Sequence, residues 1–66
     1  MKVLIIEDEK VLSDTIAQCI AQEFQTEQAY DGYEGYSYAK ENIYDAIILD
    51  LMLPEMSGYD LLLKLR

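Results

Sequence analysis

The sequence has 66 residues, with 13 acidic and 5 basic side chains and a formal charge of −8. That length supports at most one domain, and one cysteine without any histidine excludes an internal disulfide, a Cys/His zinc cluster and a histidine-based acid–base relay. The acidic excess argues against direct contact with nucleic acid or an anionic membrane surface, while 52% hydrophobic and 27% charged residues describe a packed globular chain rather than a disordered tail.

The first apolar run, Val-Leu-Ile-Ile at residues 3–6, is continuous rather than alternating, which predicts a strand covered on both faces. It is too short for the core of a secretory signal and is followed at once by Glu7 and Asp8. Nothing in the chain nears the roughly 20 apolar residues of a membrane span, so a reducing, cytoplasmic setting is expected. Residues 10–24 predict a helix, because Leu12, Ile16, Cys19, Ile20 and Phe24 recur at helical spacing. Cys19 on that stripe is expected to be a buried, inert thiol. Residues 26–30 predict a second strand, closed by the turn pair Asp31-Gly32. Residues 33–41 predict a short helix, although Gly35 inside it costs about 1 kcal/mol relative to alanine.

A second continuous apolar run, residues 46–49, predicts the third strand and ends in Asp50. Pro54 then breaks the chain, and Ser57 with Asp60 three residues on forms a capping pattern ahead of Leu61, Leu62 and Leu65. The tyrosines read as partly exposed packing. Asp14, Glu23, Glu27, Glu34 and Glu41 read as solvated helix faces and flanks. The order β-α-β-α-β-α predicts an α/β fold: a parallel sheet with right-handed crossovers and helices on both faces.

Two of the apolar runs end in carboxylates, Glu7 and Asp8 after the first and Asp50 after the third. Open α/β sheets bind ligands outside the carboxyl ends of their strands. If the first and third strands are neighbours, the three acids converge, and their mutual repulsion calls for a cation. Oxygen-only donors with open positions suit Mg²⁺. A carboxylate beside such an ion can also act as a nucleophile and form an acyl phosphate, the role expected of Asp50.

The segments Lys2-Val3-Leu4-Ile5-Ile6-Glu7-Asp8-Glu9 and Asp45-Ala46-Ile47-Ile48-Leu49-Asp50-Leu51-Met52-Leu53-Pro54, followed by Ser57-Gly58, closely resemble the receiver domain of bacterial response regulators. The resemblance runs in order and spacing through the whole chain. It implies a flavodoxin-like, doubly wound parallel sheet with strand order 2-1-3, and a chain that covers the N-terminal half of the domain. It also implies phosphorylation of Asp50 by a sensor histidine kinase. Asp8 would ligate Mg²⁺ directly, Glu7 through water, and Met52 through its backbone carbonyl, with Asp50 completing the protein ligands. Pro54 and Gly58 would shape the loop that follows. The output implied is transcription, with DNA contacted only through a separate C-terminal domain. The family's strand-four Ser/Thr and strand-five lysine have no counterpart in these residues. The third strand is therefore expected to present an open apolar edge, and self-association is expected, as a homodimer or by pairing that strand with a copy of itself. Two rival readings are a receiver-like interaction module that is never phosphorylated, and an Asp-nucleophile phosphatase. The phosphatase places its general acid two residues after the nucleophile, where this sequence has Met52.

Overall fold

A computed structural model describes residues 1–50 and 57–65. Its elements are β1 (Lys2–Ile6), α1 (Lys10–Ile20), β2 (Gln25–Ala29), α2 (Gly32–Ala39), β3 (Ala46–Leu49) and α3 (Gly58–Leu65). The three strands form one parallel sheet in the order β2-β1-β3. The most continuously apolar strand thus takes the centre, where Val3, Leu4, Ile5 and Ile6 are all buried.

Alternation along β1 sends Leu4 and Ile6 to one face and Val3 and Ile5 to the other. On the first face, Leu4, Ile6, Ala29 and Leu61 form the core, with Tyr36, Tyr38, Ala39, Tyr44, Leu49 and Leu65 packed around them. Helices α2 and α3 lie together there, while α1 also packs on β1 and β2. Tyr36, Tyr38 and Tyr44 thus belong to the packing, as expected, and Tyr33 and Tyr59 are exposed.

Helix α1 departs from expectation in two ways. It ends at Ile20 rather than near Phe24, because the chain must turn to enter β2; the amides of Glu23 and Phe24 both donate to the Ile20 carbonyl. Its contact face is also rotated from the apolar stripe. Ser13 is fully buried, whereas Leu12 and Cys19 are exposed. The serine can occupy the seam because its Oγ accepts a hydrogen bond from Gln28 Nε2 at 2.9 Å, and the same amide reaches Asp14 Oδ1 at 2.8 Å. Cys19 is accordingly a surface thiol and not a buried one.

Helix α2 begins one residue earlier and ends sooner than its sequence pattern implies. After it, Asn42 adopts the left-handed conformation (φ 58°), a role asparagine fills more readily than most residues. At the start of α3, Ser57 Oγ accepts from the Asp60 amide at 3.1 Å, as its capping pattern predicts. The expected break at Pro54 lies outside the described residues.

Candidate acidic site at the carboxyl edge

The carboxyl end of the sheet is built by the pairing of β1 with both neighbours. The Glu7 amide donates to the Ala29 carbonyl (3.0 Å) and the Asp50 amide to the Ile6 carbonyl (3.0 Å). These two bonds anchor the residues that follow β1 and β3 side by side. As a result, Glu7, Asp8 and Asp50 each offer a carboxylate oxygen within 4.8 Å of the others. Two full charges at that spacing repel by roughly 1 kcal/mol in water and several-fold more where solvent is partly excluded.

The three acids are not equivalent. Glu7 is only 8% exposed, Asp50 is half-buried and Asp8 is exposed. Burial pushes the Glu7 carboxyl above its ordinary range, and hydrogen bonds to Asp50 and then to Asp8 push it further. The Glu9 amide, 3.4 Å from Glu7 Oε2, acts in the opposite direction. A buried carboxyl leaning on two others is an arrangement that a divalent cation relieves. The all-oxygen donor set, with room for water on the exposed side of Asp8, fits Mg²⁺.

All three side chains expected from the sequence are thus brought together. The Met52 carbonyl and the loop at Pro54 lie outside the described residues, and Gly58 is buried at the start of α3. Around the site, Lys10 opens α1 with its Nζ 5.5 Å from the Tyr30 ring centroid, a cation–π contact. Glu34, read from the sequence as a solvated acid, has a structural task. Its Oε1 accepts from the Tyr30 amide (2.8 Å), while its own amide donates to Asp31 Oδ1 (2.8 Å). The two bonds fix the loop after β2, and the capping-type spacing Asp31-x-x-Glu34 was present in the sequence, although the Glu34 side chain takes the Tyr30 amide rather than that of Asp31. Asp14 and Glu27 are likewise engaged, by Gln28 and by Lys2.

Residues 3–66 match the family described as the response regulator receiver domain. The chain belongs to that family. Among curated relatives of this receiver sequence, the transcriptional regulatory protein CiaR of Streptococcus pneumoniae is 39% identical over 66 residues, spanning all of this chain and 30% of the relative. The transcriptional regulatory protein CusR of Escherichia coli K12 is 40% identical over 67 residues, again with all of this chain and 30% of the relative covered. Among solved structures, the receiver domain of the Francisella response regulator 1452 superimposes with a TM-score of 0.93 at 35% identity, covering 98% of this chain and 55% of that one. The chain therefore spans about half of a solved receiver and under a third of the curated relatives. Among the described residues, no helix is long and apolar enough to cross a membrane.

Proposed function

We propose that this receiver accepts a phosphoryl group on Asp50 from the phosphohistidine of a sensor histidine kinase. The observation that carries the reading is the convergence of Asp50 with Glu7 and Asp8 at the carboxyl edge of the sheet, in a chain whose family is built around such a site. An Asp50 carboxylate oxygen attacks phosphorus, an O–P bond forms as the N–P bond breaks, and the departing imidazole recovers a proton. Asp8, Glu7 and Asp50 would hold Mg²⁺, and the resemblance to the family adds the Met52 carbonyl as a further protein ligand. When bound, the ion supplies positive charge against the phosphoryl oxygens and the acid cluster. Half-burial of Asp50, beside the buried Glu7 carboxyl, restricts the orientations open to the acceptor.

The module is a signalling acceptor, with catalysis confined to its own phosphorylation and dephosphorylation. Its output is transcription through a DNA-binding region outside these residues, and its setting is the cytoplasm. Intact-mass spectrometry after incubation with acetyl phosphate and Mg²⁺ tests the proposal. One phosphoryl adduct is expected on the wild type, none on Asp50→Ala, and a strongly reduced yield on Asp8→Ala. An equal adduct on Asp50→Ala would overturn it.

A further inference from the structure

We propose that the Tyr30 ring holds the Lys10 ammonium away from the acid cluster and so keeps Glu7, Asp8 and Asp50 open to Mg²⁺, which makes Tyr30 a positioning residue for the site. This rests on the reading of that cluster as the metal site. Ile6 on β1 pairs with Ala29 on β2 and with Leu49 on β3, so Tyr30, Glu7 and Asp50 follow one another across the carboxyl edge. Tyr30 thus stands about two strand spacings, roughly 10 Å, from the backbone of Asp50. In the family's strand order further strands join beyond β3, on the far side of the site from Tyr30.

Lys10 is the lysine closest to the acids. It follows Asp8 by two residues, a Cα separation of no more than about 7 Å. Lys2 opens β1, Lys40 caps the end of α2 and Lys64 lies in the last turn of α3. Crossover helices run back toward the starts of the strands, so these three lie at the opposite end of the sheet. Lys10 and Asp8 are both exposed, and a flexible four-carbon stem spans the gap between them. Three carboxylates within 4.8 Å of one another are a strong attraction for that ammonium. Yet among the described residues the one ion pair joins Lys2 to Glu27, at 3.6 Å. Lys10 Nζ lies instead 5.5 Å from the centroid of the Tyr30 ring, inside the range of a cation–π contact.

The surroundings suit Tyr30 to this task. Its backbone is fixed, because its amide donates to Glu34 Oε1 at 2.8 Å. Two other acids nearby are already engaged: Asp14, one turn on along α1, accepts from Gln28 Nε2, and Asp31 accepts from the Glu34 amide. An ammonium released by the ring is therefore drawn to Asp8 and its neighbours. An exposed cation–π contact and an exposed ion pair are of similar strength. Loss of the ring thus hands Lys10 to the carboxylates, where Mg²⁺ must displace it.

The test compares wild type, Tyr30→Phe, Tyr30→Leu, Lys10→Gln and the Tyr30→Leu/Lys10→Gln double variant in the full-length natural protein. Two NMR readouts are taken: the Mg²⁺ Kd from the backbone amide shifts of Asp8 and Asp50, and the ring-current shift of the Lys10 ε-methylene protons. Tyr30→Leu should raise the Kd about threefold, within the roughly fivefold that an exposed ion pair can contribute, and should move the ε protons downfield. Tyr30→Phe keeps the ring and should match wild type in both readouts. In the Lys10→Gln background, Tyr30→Leu should leave the Kd unchanged. A wild-type Kd in Tyr30→Leu would overturn the inference, as would an equal rise in the Lys10→Gln background or a Tyr30→Phe variant that behaves like Tyr30→Leu. A wild type with no saturable response to Mg²⁺ would instead overturn the reading of the cluster as a metal site.

Discussion

Gly35 sits inside α2 directly over β1, and replacing it with alanine sets two effects of opposite sign against each other. Alanine is the better helix former by about 1 kcal/mol, which on its own favours the substitution. The added Cβ, however, would stand 2.7 Å from Ile6 Cδ1, 2.9 Å from Cγ2 and 3.0 Å from Cγ1. Cδ1 can rotate aside, but the two γ carbons are fixed by a stiff β-branched χ1. Ile6 is also fully buried in the core beside Leu4, Ala29 and Leu61, so it has nowhere to retreat. Overpacking of this kind costs roughly 1–3 kcal/mol. The expected net result is a loss of about 1 kcal/mol, or about 4–8 °C in Tm for a domain of this size. Thermal and urea denaturation followed by circular dichroism measure it. A second substitution isolates the cause: Ile6→Val removes the Cδ1 methyl and should cost less in the Gly35→Ala background than in the wild type. A Gly35→Ala variant that is more stable than wild type, or one that shows no coupling to Ile6→Val, would refute the packing argument.

Two further outcomes follow from groups buried with their partners. The Glu7 carboxyl titrates above its ordinary range, chiefly through burial; the native state therefore holds this proton more tightly than the unfolded chain. Its contribution is fully present below the unfolded pKa and is lost as pH rises through the folded one. Glu7→Gln should accordingly raise the Tm of the metal-free protein at pH 7, flatten its dependence on pH above the carboxylate range, and weaken stabilisation by Mg²⁺; differential scanning fluorimetry from pH 4 to 8 reads all three. Gln28→Ala strips the buried Ser13 hydroxyl of its donor and should cost about 1–3 kcal/mol in urea denaturation, whereas adding Ser13→Ala should recover part of that loss.

The element order, the strand order and the three convergent acids were legible because each depends on local pattern. Continuous apolar runs marked the buried strands, and the carboxylates at their ends needed only adjacency of β1 and β3 to meet. Features that depend on what lies across the fold were harder to read. Gly35 looked like a weak point in a helix, since nothing nearby in sequence reveals that Ile6 leaves no room for a methyl group. Ser13 was passed over for Leu12 and Cys19 because hydropathy ranks it lower. Only Gln28, on a different element, makes its burial tolerable. Asp45 drew no reading of its own in the sequence, because its carboxylate meets the Lys2 amide 43 residues away. Glu34 was the exception, a cap visible in sequence spacing but masked by the acidity around it.

The central position of β1 has a consequence for how the protein is made. This strand precedes both of its neighbours in the chain, yet its last partner, β3, pairs with it along Val3–Ile6 and closes the ends through Lys2–Asp45 and Ile6–Asp50. At synthesis rates of about 5–20 residues per second, the Val-Leu-Ile-Ile segment waits on the order of 2–9 s for that partner to be translated. During that interval the most apolar stretch of the protein is half-paired at best. Ribosome-associated chaperones would meet it first, and synonymous codon choice between β2 and β3 sets how long they must hold it.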